Sequence, residues 1–363
     1  MAQSRPAIDW PPRLTAGLPE LARRTRGATI EIGRSGDGRE VLRVSGCEAL
    51  GRGLVLEVVE TGADEPPARQ TELRFVSFSP LVVGPDAARD WRPPARLTGA
   101  ELELGVQWTL YEPRTEPNRG LVVHLGGNRY VRRALLKDGW AVLSSSGTGR
   151  YFARRHRPQR FVLDSAADAP RVAAQIAATI DDELADWAYS LAAVLEYLER
   201  QRPELRQQPA AVMGFSIGAL GLPAVVAYVP DRFAAAVLVA GGADLLRISQ
   251  SSAKADPGLV IVTPQDADRA GLLRQLDEHY RRLTRLDPYQ TAPLMQHMPR
   301  LVVQARLDRV VPVWSGQLLY ERLGRPERWD YLAGHRHLLR VVMRFAAARL
   351  TGWVEQRVTS GDR

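Results

Sequence analysis

The pentapeptide Gly214-Phe215-Ser216-Ile217-Gly218 follows a short apolar run, Ala210–Met213, and opens a stretch with helical spacing, Ile217–Tyr228. A G-x-S-x-G sequence at a strand-to-helix turn sets up nucleophilic chemistry. The tight turn throws the serine above the sheet, and side chains in place of the glycines would collide with the neighbouring strand or helix. Free N–H groups at the start of the helix, together with its dipole, favour negative charge beside Ser216. The plainer alternative is a glycine-rich turn with a helix-capping serine.

A serine hydroxyl attacks poorly until a base takes its proton, and that base needs a carboxylate to orient it. Six histidines are available. His156 lies in a basic loop, His279 and His297 in a long insert, and His124 at a strand end. His335 and His337 lie in Gly334-His335-Arg336-His337, after the last expected strand and before the final helix. His335 is preferred, because the glycine before it lets the turn carry the ring toward Ser216, whereas His337 faces the first helical turn. For the carboxylate, the strand Leu301–Ala305 runs into Arg306-Leu307-Asp308-Arg309-Val310-Val311-Pro312, and Asp308 is preferred there over Asp244 in the Gly241–Asp244 turn. Either aspartate could instead be a simple strand-end cap. Negative charge developing on a carbonyl oxygen requires two backbone N–H groups. Ile217 is expected to supply one. His124-Leu125-Gly126-Gly127 is expected to supply the other, from Gly126 with Leu125 as the close alternative, leaving His124 to bond loop backbone.

The elements that would hold these residues alternate short apolar strands with helices. The expected strands are Leu102–Tyr111, Leu121–Leu125, Trp140–Leu143, Ala210–Met213, Ala235–Ala240, Leu301–Ala305 and Arg328–Leu332. The expected helices are Tyr130–Lys137, Glu183–Arg200 (capped by Asp181 or Asp182), Ile217–Tyr228, Leu272–Leu286 and Leu338–Gln356. The pattern reads as an α/β domain over 98–363 with a mostly parallel sheet covered on both faces. In front of it, residues 1–97 comprise a Pro- and Arg-rich lead-in and a β-rich module with strands near Ala28–Ile32, Glu40–Val44, Leu54–Glu60 and Thr71–Phe78. Residues 249–299 form either a small lid or ordinary helix packing. The stretch Gly149–Arg160, with Arg150, Arg154, Arg155, His156, Arg157 and Arg160, is either an anion-reading wall or a solvated basic loop. Trp187, Tyr189 and Tyr197 read as core.

Composition narrows the function classes. The chain has 363 residues, of which 45% are hydrophobic and 25% charged, so it is globular. Its net charge of +8 comes almost wholly from arginines spread along the chain, since Lys137 and Lys254 are its only lysines. That spread reads as the coding bias of a GC-rich genome rather than a nucleic-acid stripe with stacking aromatics. No run is long enough to span a membrane, and no apolar leader precedes the early prolines, so a cytoplasmic location is expected. Cys47 stands alone and reads as an apolar filler in a strand. The histidines are dispersed and no metal spacing is present, so neither a metal nor another cofactor is expected.

Residues 98–356 resemble the α/β-hydrolase superfamily, especially its esterase, dienelactone-hydrolase-like and serine-peptidase-like branches. The resemblance rests on H-L-G-G (124–127), K-D-G-W-A-V (137–142), G-F-S-I-G (214–218), A-R-L-D-R-V-V-P (305–312) and G-H (334–335), in the family's order. It implies an α/β-hydrolase fold and a triad in the order Ser216, Asp308, His335, although some relatives carry the acid where Asp244 stands. It also implies an acyl-serine route on a small-molecule ester or acyl substrate. Amide cleavage, acyl transfer and a catalytically silent binding scaffold are the alternatives, and the oligomeric state stays open. One departure concerns the site wall: many relatives have an Asp-x-Arg-Gly turn where this chain has Ser144–Arg150.

Overall fold

The computed structural model describes residue 8 and residues 29–34, 40–45, 53–61, 68–78, 104–113, 119–145, 159–201, 205, 210–253 and 259–359. Four strands come first: β1 (Thr29–Arg34), β2 (Glu40–Ser45), β3 (Gly53–Thr61) and β4 (Ala68–Phe78). The α/β part follows with β5 (Leu104–Pro113), β6 (Leu121–Leu125), α1 (Arg129–Lys137), β7 (Ala141–Ser145), β8 (Gln159–Val162) and α2 (Ala169–Gln201). Next come β9 (Ala210–Phe215), α3 (Ile217–Tyr228), β10 (Ala235–Val239), α4 (Leu245–Ser251), β11 (Leu259–Val262), α5 (Arg269–Leu283) and α6 (Pro288–Thr291). The chain closes with β12 (Arg300–Ala305), α7 (Val313–Arg322), β13 (Glu327–Tyr331), α8 (His335–His337), a π-helical turn at Leu338–Val342, and α9 (Met343–Thr359).

Nine strands form one sheet in the order β13-β12-β10-β9-β6-β7-β5-β4-β3. From β13 to β7 the neighbours are parallel; β5, β4 and β3 add on antiparallel. The central strands are short, wholly buried runs such as Leu121–Leu125 and Ala235–Val239. Such runs suit strands covered on both faces, because each side chain meets a helix layer whichever way it points. Leu135, Leu136, Leu338, Met343 and Trp353 pack one face through α1, the π-helical turn and α9, and Trp187, Leu191, Leu222 and Leu319 pack the other through α2, α3 and α7.

The order of strands locates the crevice. After β6 the chain moves outward to β7, then crosses back so that β9 lies on the other side of β6 and β10, β12 and β13 continue outward from it. Where winding reverses, the loops leaving adjacent strands turn away from each other and open a cleft at the strands' carboxyl ends. Here the reversal falls between β6 and β9, and it sets the loop after β6, residues 126–128, against the turn after β9 at Ser216.

Several expectations change in detail. The long helix starts at Ala169, not near Glu183, so Asp181 and Asp182 are interior residues and not caps. Its entry is organised upstream instead, where the Asp168 carboxylate accepts from the Ser165 N–H and hydroxyl. Trp187 is core, its indole N–H reaching Ser145 Oγ at 3.2 Å; the side chains of Tyr189 and Tyr197 lie outside the described set. Most of the Gly149–Arg160 stretch, the end of the Ser144–Arg150 turn, Cys47, and the 97/98 boundary also fall outside the described residues. Strands β3 and β4, expected in the N-terminal β-rich module, hydrogen-bond onto the main sheet through β5. Among the described residues no helix is long and apolar enough to cross a membrane.

Within 249–299, β11 pairs in parallel with β8, and α5 lies along the first half of α2 over a core of Ile176, Ile180, Leu276 and Tyr280. Two buried carboxylates fasten this segment. Asp181 accepts from Thr284 Oγ1 (2.8 Å), the Arg285 N–H (2.9 Å) and the Leu286 N–H (2.9 Å). Asp287 accepts from the N–H groups of Asp244 (3.0 Å), Leu245 (2.7 Å) and Tyr289 (2.7 Å), and from the Tyr280 hydroxyl (2.7 Å). Burial pushes the Asp181 carboxyl up to about 6 even against those donors.

Candidate active site

Ser216 follows β9 at φ 53° and ψ −117°, a conformation few non-glycine residues hold. The strain is held by what surrounds it. The Ser216 N–H is fixed to the Val239 carbonyl of β10 at 2.8 Å, and the Ser216 carbonyl accepts from Ala219 and Leu220 in the first turn of α3. Gly218 is needed for contact rather than for conformation, because a Cβ there would run into the Leu125 carbonyl. The loop after β6 therefore sits directly on the turn that carries the serine.

The structure brings three of the expected side chains into one hydrogen-bonded line. Ser216 Oγ lies 2.8 Å from His335 Nε2, and His335 Nδ1 lies 2.7 Å from Asp308 Oδ2. A carboxylate can only accept, so Nδ1 is the donor in this pair, and in the neutral ring Nε2 then turns its lone pair toward the serine hydroxyl. Asp308 is fixed in turn: its Oδ1 accepts the N–H groups of Val310 (2.8 Å) and Val311 (2.9 Å). His335 and Asp308 are both buried, while His337 is exposed. Glycine's conformational freedom at 334 is not what carries the His335 ring toward Ser216. Gly334 has φ −85°, and a Cβ there would find its nearest neighbour at 3.7 Å, so that position does not require glycine. The ring is aimed instead by its place at the head of α8, where the Leu338 N–H closes onto the Gly334 carbonyl at 2.9 Å.

Asp244 lies elsewhere. It is completely buried at φ 72° and caps α4 through the Arg247 N–H at 3.3 Å. Its carboxylate takes the Arg281 guanidinium at 2.8 and 2.5 Å, and Arg281 also reaches Asp277 at 3.0 Å. Burial raises both carboxyls above the ordinary range, and Arg281 counters it. A cavity of about 410 Å³ lies between α4 and α5, lined by Arg247, Gln250, Leu273, Arg274, Asp277, Glu278 and Arg281. No member of the Ser216 line borders it.

Ile217, Leu125 and Gly126 flank Ser216. Gly126 has φ +75°, and a Cβ there would sit 2.5 Å from the Phe215 carbonyl and 3.0 Å from the Gly218 nitrogen. Only glycine lets this backbone press against the turn at Ser216. His124 is buried beneath the loop, edge-on to Phe215 with ring centroids 4.7 Å apart. Its Nε2 accepts the Asn128 N–H at 3.3 Å. Burial, assisted by Arg132, lowers its pKa to about 3, so the ring stays neutral and remains an acceptor at any working pH. Asn128 was not singled out in the sequence; an Asn just ahead of a helical run signals a cap and nothing more.

The Prolyl oligopeptidase family matches residues 181–354, a span that includes Ser216, Asp308 and His335 and is just under half of the chain. The fold is the α/β-hydrolase fold. The family match over 181–354 supports a serine hydrolase. Among solved structures it is similar to the zinc-bound form of a cold-adapted esterase from an Arctic intertidal metagenomic library, with 14% identity and a TM-score of 0.49 over 84% of this chain and 100% of that one. A Pyrococcus furiosus esterase gives 18% identity and a TM-score of 0.45 over 70% and 87%. A Pyrococcus horikoshii acylaminoacyl peptidase gives 14% and 0.47 over 93% and 55%. No curated protein matches the chain.

Proposed function

We propose that this α/β-hydrolase cleaves a carboxylic ester through an acyl-serine intermediate. The observation that carries the reading is the unbroken line Ser216 Oγ–His335 Nε2, His335 Nδ1–Asp308 Oδ2 at 2.8 and 2.7 Å, set on a strained turn. In this reading Ser216 Oγ attacks the carbonyl carbon while His335 Nε2 takes its proton. Asp308 orients the ring and stabilises the imidazolium. The oxyanion is received by the N–H of Ile217 and that of Gly126, with Leu125 as the alternative donor, and each such donor is worth about 3 kcal/mol in the transition state. Collapse of the tetrahedral adduct expels the alcohol, which takes the proton from His335. Water, deprotonated by His335, then attacks the acyl-serine, and a second collapse frees the carboxylic acid and returns the proton to Ser216.

Residues 98–363 are the catalytic part in this proposal, and 1–97 are a β-rich appendage whose β3 and β4 lengthen the same sheet. Segment 249–299 is a fixed wall rather than a lid, which the buried Asp181 and Asp287 attachments support. The match to the Prolyl oligopeptidase family favours a second reading, cleavage of a peptide or amide by the same residues. Both readings are tested by labelling with a fluorophosphonate, mapping the adduct, and repeating the reaction on Ser216→Ala. Labelling confined to Ser216 is the expected result, and no labelling of folded wild-type protein refutes both. Rates on p-nitrophenyl esters against peptide anilides then separate the two.

A further inference from the structure

The π-helical turn that follows His335 leaves one carbonyl out of the regular helical ladder. In an α-helix the Met343 N–H would take the Leu339 carbonyl; here it reaches back one residue further, to Leu338. The Leu339 carbonyl is instead taken by the side-chain amide of Asn128, 211 residues away, at 2.8 Å. The same Asn128 is buried in the loop that presses against Ser216, and it caps α1 by accepting the N–H groups of Tyr130 (3.1 Å) and Val131 (3.4 Å) on Oδ1. Its backbone N–H is held by His124 and its carbonyl by Arg132. The amide orientation is fixed by its partners, since Oδ1 faces two donors and Nδ2 faces an acceptor.

We propose that Asn128 is a positioning residue that ties the 125–128 loop to the His335-bearing turn, setting the base and the oxyanion donors in one register. This rests on the serine-hydrolase reading above. Acyl transfer needs the loop and the turn at Ser216 together, and a displacement of about 1 Å between catalytic groups costs roughly 100-fold in rate.

Asn128→Asp separates this role from capping. Aspartate caps a helix as well as asparagine does, but it cannot donate and sets a carboxylate against the Leu339 carbonyl. Asn128→Ser serves as the second variant, keeping a cap oxygen but too short to reach Leu339. Wild type and both variants are compared in ester kcat and KM, in fluorophosphonate labelling, and in amide hydrogen exchange over 335–345. Expected are a loss of about 10- to 100-fold in kcat, KM within about threefold, and faster exchange over 335–345. A folded Asn128→Asp protein with wild-type kcat and unchanged exchange overturns the proposal and shows a cap alone. Wild-type protein that fails to label at Ser216 overturns the serine-hydrolase reading instead, and this role for Asn128 in the reaction falls with it.

Discussion

Replacing Gly126 by alanine tests whether the loop after β6 takes part in the reaction or merely closes the fold over it. Two effects follow from the structure. The first is conformational: an L-residue at φ +75° costs roughly 1–2 kcal/mol. The second is steric. The new Cβ would lie 2.5 Å from the Phe215 carbonyl oxygen, where real Cβ atoms essentially never come, and 3.0 Å from the Gly218 nitrogen. Either the loop or the turn carrying Ser216 must retreat by several tenths of an ångström, and each holds one proposed oxyanion donor. Losing one such donor costs about 10²- to 10³-fold in kcat. Gly127→Ala is the matched control. It has the same conformational cost, at φ +49°, but its nearest neighbour is Ser144 Oγ at 3.7 Å, which leaves room. The expected outcome is a kcat loss of about 10²- to 10³-fold for Gly126→Ala with KM within about threefold, against a loss of under about tenfold for Gly127→Ala. Ester steady-state kinetics, with circular dichroism melting as the check on folding, measures both. Equal losses in the two variants would refute the contact argument, and full activity in Gly126→Ala would remove the loop from the chemistry.

The remaining predictions concern the carboxylates and the buried histidine. Asp308→Asn is expected to lower kcat by about 10⁴-fold without unfolding, because an amide can present its N–H to His335 Nδ1 and favour the wrong tautomer. Asp244→Asn is expected to do the opposite: it weakens the pair with Arg281, which keeps Asp277, at a cost of roughly 1–3 kcal/mol in urea unfolding, while kcat/KM stays within about tenfold. His124 governs acid stability. Its folded pKa of about 3 lies below the unfolded value of 6.5, so its contribution is complete above pH 6.5 and is lost as pH falls toward 3. The slope is about 1.4 kcal/mol per pH unit, or ~2 kcal/mol by pH 5. His124→Phe, which keeps a ring against Phe215, is expected to remove that slope from urea titrations between pH 4 and 6. An unchanged slope would mean that His124 titrates normally.

The central strands were legible because each is an unbroken apolar run, and Ser216 was legible because glycine spacing at a strand end is a steric requirement written locally. Other features were harder to read for identifiable reasons. The first twelve residues of α2 escaped notice because alanine marks both faces of Ala169–Ile180: Ala169, Ala173 and Ala177 are buried while Ala174 and Ala178 are exposed, which blurs an otherwise regular stripe in the sequence. Strand β8 is only four residues long, and its partner β11 lies 100 residues further on, so neither announces the other.

At the site, sequence alone singled out Ser216 and preferred His335 over His337 and Asp308 over Asp244, since turn sterics, loop position and residue chemistry all act within a few neighbours. The physical cause that separates each pair belongs to the tertiary structure. His335 and His337 are two residues apart with the same chemistry, and only the packing of α8 buries one beside Ser216 and leaves the other in water. Asp244 and Asp308 both end strands, and it is the course of the following chain, toward Arg281 or toward His335, that gives each its partner. The Asn128–Leu339 bond depends on a π-helical turn and on strand order at once. Contacts between residues hundreds apart arise from how the sheet is wound, and no local run of side chains encodes that distance.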